Sequence, residues 1–344
     1  MEEIIVTMYT SADCPACEQV ETDLAALQEA IPHRLVLINI DTSSDLKTVY
    51  GNLVPVVEVG PYQLRGEINK QDLQVSLSAA RDRKRQLERV GDKGYLDRVS
   101  KGQRFTGTDR FSYWFSNSYM HIFNLAVLIY VGLPFLAAVL MKTDFVLPAR
   151  AIYAMYSPLC HQLAFRSWFI FGEQPYYPRA LAEIPNVITY EQIAGDDALT
   201  DLTRARRFIG NETVGYKVAL CQRDVAIYGA ILVFGVVFSL TGRRLKSLPW
   251  YLWVVFGILP IGLDGGSQLP GLVGGLLPAW FPLRESTPLL RTITGALFGL
   301  TTAWYLYPMI EESLADTRML LTRKLAVVAS LEEKSKIALD REVQ

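Results

Sequence analysis

Cysteine is scarce in this chain: four residues in 344, beside 24 glycines and 17 prolines. Those counts exclude a small disulfide-held scaffold, a collagen-like repeat and a low-complexity disordered chain. Net charge is almost absent too, with 34 Lys+Arg against 35 Asp+Glu and a formal charge of −1. A polyanion-binding protein is therefore unlikely on electrostatic grounds, and no nucleic-acid partner is expected. The N-terminus lacks the basic segment and apolar core of a secretory signal: Met1-Glu2-Glu3 leads straight into a short β-like run. The first domain is expected to stay in the cytosol.

What is present is unevenly distributed. Half of the residues are hydrophobic and a fifth are charged, but the charges crowd residues 1–112 and 311–344 while long apolar runs fill the middle. That pattern predicts a soluble head on a membrane body. Residues 4–9 read as a buried strand. Residues 15–30 read as a helix opened by Pro15, with Val20, Leu24, Leu27 and Ile31 at helical spacing, and residues 34–40 as a second strand. A short helix over 43–51, strands near 56–59 and 62–65 and a helix over 69–80 complete a βαβαββα order, an α/β domain of residues 1–80. Residues 81–112 follow, with ten Lys/Arg and five Asp/Glu between 81 and 110. They read as a basic, solvated juxtamembrane connector or a plain charged helix.

Residues 113–310 are expected to form an all-α integral membrane domain. Its four predicted transmembrane helices lie near residues 119–141, 218–240, 248–263 and 289–310. Phe111, Tyr113, Trp114 and Phe115 supply an interfacial belt before the first. Two further apolar pieces, 151–172 and 269–281, are broken by Pro, Gly or charge and read as re-entrant or interfacial. Basic residues gather in the connector, at Arg243, Arg244 and Lys246, and at Arg318, Arg323 and Lys324. This asymmetry predicts a multi-pass protein of the cell membrane with both termini cytoplasmic. Residues 311–344, with Leu314, Leu320, Leu321, Leu325 and Val328, read as an amphipathic helix on or beside that face, in contact with membrane lipid.

Cys14-Pro15-Ala16-Cys17 lies between a strand and a helix. There the free amides of the helix N-terminus lower the pKa of the first thiol, and the second, one turn along, can resolve a mixed disulfide. Val54-Pro55 would present its backbone beside the dithiol if the bond is cis. CxxC is also half of a zinc site, but the chain holds no second CxxC to complete one. These residues, with Tyr9 and the segment from Gly60 to Gly66, resemble the glutaredoxin and thioredoxin family over residues 1–80. The resemblance implies Cys14 as attacking nucleophile, Cys17 as resolving thiol and Pro55 as the cis-proline. It also implies a thiol or disulfide protein, or a small thiol, as partner. The Pro-Ala between the cysteines departs from the Pro-Tyr usual in glutaredoxins. The Gly-Gly-x-Asp stretch that holds glutathione is missing, which argues against glutathione as a cofactor.

The membrane body has its own constellation: Cys160-His161-Gln162 with Arg166, Cys221 with Arg223 and Asp224, Asp264 with Gln268, and Arg284-Glu285 with Arg291. Ionisable groups at membrane depth are costly and gather around a site, so one polar cluster toward the outer face is expected. The pattern, with Ser167, Ile227, Tyr228 and Ser286, resembles the integral membrane family called domain of unknown function 2085 over residues 119–310. That family has no assigned activity, so the resemblance implies a site without naming a reaction. Its second cysteine of CxxC is Asp224 here. Three readings of Cys160, His161, Cys221 and Asp224 stay open: a Cys160–Cys221 disulfide, a metal centre, or ordinary buried residues. His33 and His121 are expected at the surface and the interface. The functional expectation is a membrane-tethered thiol–disulfide oxidoreductase that could relay electrons to or from the membrane domain. The alternative is a membrane enzyme or transporter with the polar site as its centre and the redox domain as sensor or docking module.

Overall fold

The computed structural model describes residues 3–195, 202–268 and 284–343. The predicted piece at 269–281 lies outside the described residues. The chain divides into two compact units, Met1–Asn117 with Glu312–Gln344, and Ser118–Glu311.

In the first unit β1 (Ile4–Thr10), α1 (Pro15–Leu27), β2 (His33–Asn39), α2 (Ser44–Tyr50), β3 (Val56–Val59), β4 (Tyr62–Arg65) and α3 (Lys70–Val90) follow the predicted order. The sheet runs β2-β1-β3-β4. β1 is parallel to β2, which requires the crossover through α1, and antiparallel to β3, which pairs antiparallel with β4. Because side chains alternate along a strand, β1 serves two cores. Ile4, Val6 and Met8 cluster with Leu24, Leu73 and Leu77, whereas Tyr9 joins Ile38, Ile40, Leu46 and Val56.

α3 opens on a capping box in which the Asn69 side chain accepts the Asp72 amide at 2.9 Å and the Asp72 carboxylate accepts the Asn69 amide at 3.3 Å. It runs past its predicted end to Val90 and stops at Gly91, whose φ of 68° only glycine adopts freely. With α4 (Lys93–Gly102) and the first turns of α5 (Gly107–Lys142), the expected connector is mostly charged helix rather than solvated loop. The C-terminal segment belongs to one helix, Pro288–Val343; on its apolar stripe Leu321 and Val328 are buried, whereas Leu320 and Leu325 are exposed. Met319 and Ala326 pack on the Tyr9 cluster. Arg318 donates to Asp45 and to the Ser116 carbonyl, both at 2.7 Å, and Lys324 pairs with Asp109 at 2.7 Å. His33 is buried as well, its Nδ1 2.7 Å from the Ile31 carbonyl.

The second unit is not all-α. After α6 (Val146–Tyr156) come β5 (Ser167–Ile170), α7 (Tyr190–Ala194), α8 (Leu202–Arg207), β6 (Gly210–Asn211) and β7 (Gly215–Cys221). The strands form an antiparallel sheet in the order β5-β7-β6, over a core of Phe165, Phe169, Tyr177 and Tyr190. Residues 151–172 are thus the end of α6, a turn and β5. The second predicted span loses residues 218–221 to β7, because an apolar run bonded to a neighbouring strand looks, in one dimension, like the start of a membrane helix. Gly215, at φ 78°, sits where a Cβ would overlap the Ile170 carbonyl.

α5 and α9 (Gln222–Leu240) are long and apolar enough to cross a membrane. Leu125, Leu128 and Ile129 on one, and Val233, Val236 and Val237 on the other, are exposed as a lipid-facing surface requires. The third predicted span is a shorter apolar helix, built from α10 (Trp250–Trp253), a π-helical turn over Val254–Ile258 and α11 (Leu259–Gly266). The fourth lies within α12 (Pro288–Val343), where Arg291 and several Thr and Gly dilute the hydropathy. On α12, Gly295 and Gly299 lie one turn apart, and a Cβ at either would overlap the backbone oxygens of Arg223 and Ile227. Small residues therefore let α12 and α9 meet backbone to backbone, which fixes the first turn of α9.

Leu77 is fully buried, and Val75 on the same helix is 61% exposed. Leu77→Ala is expected to destabilise the full chain by about 2–5 kcal/mol, and Val75→Ala to stay within about 0.5 kcal/mol of the parent. Denaturant unfolding in detergent checks both.

Candidate functional site

There are two groups of chemistry-bearing residues, one in each unit. In the first, β1 ends at Thr10 and the chain turns through an exposed loop, pinned where the Ala12 amide donates to Asp41 at 3.1 Å. Cys14 is the N-cap of α1, with Pro15 at the first helical position. Its sulfur accepts the Cys17 amide at 3.2 Å and is disulfide-bonded to Cys17. Cys14 is half-buried and Cys17 is 2% exposed, so an incoming group reaches the first sulfur and not the second. The Val54–Pro55 bond is cis, and Val54 and Cys14 pack against the same core cluster.

The second group gathers the remaining sequence-predicted residues. Arg166 grips Glu285 in a bidentate pair at 2.9 and 3.0 Å. Arg291 bonds the same carboxylate and also donates to Gln268 at 3.0 Å. Gln268 in turn donates to the Asp264 carbonyl at 2.6 Å. The Asp264 carboxylate pairs with Arg223 and lies 3.5 Å from Arg284, whose guanidinium also donates to Ser267 at 2.6 Å. Asp264, Gln268, Glu285 and Arg291 are all buried, so each charge is held by an opposite one. Burial pushes the Glu285 carboxyl up, but the guanidiniums of Arg166 and Arg291 outweigh it and leave the group below its ordinary value of 4.5.

Beside this network, Cys160, Cys221 and Asp224 place their ligand atoms within 4.8 Å of one another. Cys160 follows α6, its amide donating to the Tyr156 carbonyl at 3.0 Å. Cys221 caps α9, and its sulfur accepts the Asp224 amide at 3.5 Å. Gln162, at φ 51°, is buried and donates to the Tyr153 carbonyl at 2.9 Å. His161 is exposed and is not one of the three. The four-residue metal set of the sequence reading is thereby reduced to three. A cavity of about 240 Å³ adjoins them, lined also by His161, Arg166, Arg223 and Arg291.

Two further cations, one half-buried and one fully buried, escaped the sequence reading. Arg179 lies 3.9 Å from Glu191 and 4.0 Å from Glu285. Lys217 is fully buried in β7 and donates to the carbonyls of Gln162 and Arg206 at 2.7 and 2.8 Å. Burial pushes its ammonium down to about 7. A single Lys inside Gly-Tyr-Lys-Val-Ala-Leu-Cys was the available signal, since a charge in an apolar strand needs a partner.

Residues 5–78 match the glutaredoxin-like domain family DUF836, and residues 206–305 match DUF2085, described as a predicted membrane protein. The chain thus carries one segment similar to each of these two families. The DUF2085 match contains Cys221, Arg223, Asp224, Asp264, Arg284, Glu285 and Arg291, and leaves out Cys160 to Arg166. An uncharacterized protein of Methanocaldococcus jannaschii, MJ1492, is 27% identical over 165 residues, 47% of this chain and 69% of the relative. No solved structure matches the chain.

Glu285→Gln strips Arg166 and Arg291 of their shared counter-charge and is expected to cost about 3–5 kcal/mol. The folded-state pKa of Glu285 is depressed, so its contribution is complete above its ordinary value and is lost as pH falls through the folded value. The stability gap between parent and variant should therefore be widest near neutral pH and close in acid. Thermal unfolding in detergent along a pH series reads this out.

Proposed function

We propose that this protein is a membrane-tethered thiol–disulfide oxidoreductase whose Cys14 and Cys17 cycle between dithiol and disulfide. The sulfur cap carries the reading: an accessible Cys14 accepts an amide at the N-terminus of a 13-residue helix and is bonded to a buried Cys17. The amide and the helix dipole favour the Cys14 thiolate. In the reducing direction that thiolate attacks one sulfur of a partner disulfide and displaces the other as a thiolate. The Cys17 thiolate then attacks Cys14, releasing the second partner thiol. Two electrons leave the dithiol and reduce the partner. The backbone beside Pro55 offers an edge for an extended partner chain, either a thiol protein or a peptide-like small thiol. Glu67-Ile68-Asn69 stands before α3 where a glutathione-holding Gly-Gly-x-Asp would be sought, so a partner other than glutathione is favoured.

The tether is α5 and α9, with the helices holding residues 250–266 and 289–310 as two further crossings. The basic residues of the connector, of Arg243 to Lys246 and of the C-terminal segment assign both termini to the cytoplasmic side. A second reading, a membrane enzyme or transporter centred on the polar network, is favoured by the arginine-lined cavity of about 240 Å³. It predicts that Asp264→Asn removes a membrane function and leaves dithiol exchange intact.

Cys14→Ser should reduce insulin-disulfide reduction by the full-length protein to background. Cys17→Ser should still attack and should accumulate a mixed disulfide at Cys14, visible on non-reducing gels. Undiminished turnover in Cys14→Ser overturns the assignment.

A further inference from the structure

The cysteines of the second unit have a different surrounding from those of the first. Cys221 and Asp224 stand three residues apart on the first turn of α9, and Cys160 reaches them from the end of α6. The ligand atoms of the three all lie within 4.8 Å of one another. Three groups that are each anionic when deprotonated therefore converge. The cations nearby are engaged elsewhere: Arg166 and Arg291 hold Glu285, Arg223 holds Asp264, and Lys217 donates to two carbonyls. Among the described residues, no ion pair involves the Asp224 carboxylate.

Ideal tetrahedral coordination at about 2.3 Å for sulfur and about 2.0 Å for oxygen places ligand atoms roughly 3.5–3.8 Å apart. Atoms already within 4.8 Å of one another need to close by at most about 1.3 Å. We infer that Cys160, Cys221 and Asp224 form a three-ligand site for a divalent ion of the zinc class, with the fourth position open to the adjoining cavity. Two thiolates select a borderline-soft ion over magnesium or calcium. A disulfide would satisfy the two sulfurs and leave the carboxylate facing an apolar S–S bond, whereas a metal ion satisfies all three. Three protein ligands and an open fourth position are the pattern of a reactive rather than a purely structural zinc site. The cavity walls there carry Arg166, Arg223 and Arg291, which suits water or a small anion as the fourth ligand. The Asp224 amide also supports the Cys221 sulfur. The site is independent of the Cys14–Cys17 chemistry and stands or falls separately.

The test uses the full-length chain carrying Cys14→Ser and Cys17→Ser, purified in detergent under reducing conditions, so that only two thiols remain. Titration with Co²⁺ should give a single equivalent per chain with a thiolate-to-cobalt charge-transfer band. Asp224→Asn should weaken binding on the order of 10- to 100-fold, and Cys221→Ser should diminish the band. Zn²⁺ should slow alkylation of Cys160 and Cys221 in the chain with an unaltered second unit, and a chelator should restore it. That readout needs no variant that could misfold. Alkylation indifferent to Zn²⁺, absence of the thiolate band, or Co²⁺ affinity unchanged by Asp224→Asn overturns the site. So does a Cys160–Cys221 disulfide recovered from cells alkylated before lysis.

Discussion

A cysteine sulfur accepting an amide at the first turn of a helix is the interaction on which both candidate sites depend. Cys14 accepts the Cys17 amide at 3.2 Å, and Cys221 accepts the Asp224 amide at 3.5 Å. In each case the cap does two jobs at once. It satisfies one of the amides that a helix start leaves without a partner, and it sets the partial positive charge of the helix start beside the sulfur. It also fixes where the residue three positions later must lie, because that residue shares the same turn. Cys17 and Asp224 are therefore positioned by the same geometry that caps the helix before them.

The membrane unit adds a second constraint, the cost of an unpaired charge away from water. Glu285 serves Arg166 and Arg291 together, and Asp264 serves Arg223 with Arg284 nearby. Gln268 links the two halves through Arg291 and the Asp264 carbonyl. Such a network adds little net stability compared with apolar packing, but removing one member leaves its neighbours charged and buried. What it gains is position. The arginines are held at the walls of the cavity beside Cys160, Cys221 and Asp224, and the close approach of Gly295 and Gly299 to α9 keeps the capping turn in register with them.

The α/β order was legible in the sequence because the short apolar, β-branched run at residues 4–9 and the helical spacing from Val20 to Ile31 are strong, local signals. The dithiol was legible for the same reason, and the pairing of Arg166, Asp264, Glu285 and Arg291 followed from the cost of burying charge. The misses share one physical cause, which is that a partner decides the outcome and the partner is far away in sequence. Residues 218–221 are strand because β5 pairs with them. Arg318 is buried because Asp45 and the Ser116 carbonyl receive it. Arg179 finds Glu191 and Glu285, and His33 its own turn carbonyl. Composition carries no trace of these pairings, and periodicity cannot separate a buried strand from the first turn of a membrane helix.

The two sulfur caps then differ by a single substitution of chemistry at a common geometry. With cysteine three residues after the cap, the turn holds two sulfurs that can bond each other, and the pair stores two electrons. With aspartate there, the turn holds a sulfur and a carboxylate that cannot be oxidised to one another, and any second sulfur must come from elsewhere in the fold. Cys160 supplies it from the end of α6. A thiolate pair assembled from distant segments around a carboxylate is suited to hold a cation between them, because coordination balances all three charges at once. On the two proposed readings, the same first turn of a helix supports electron exchange in one unit and ligation in the other, and the residue at the third position decides which.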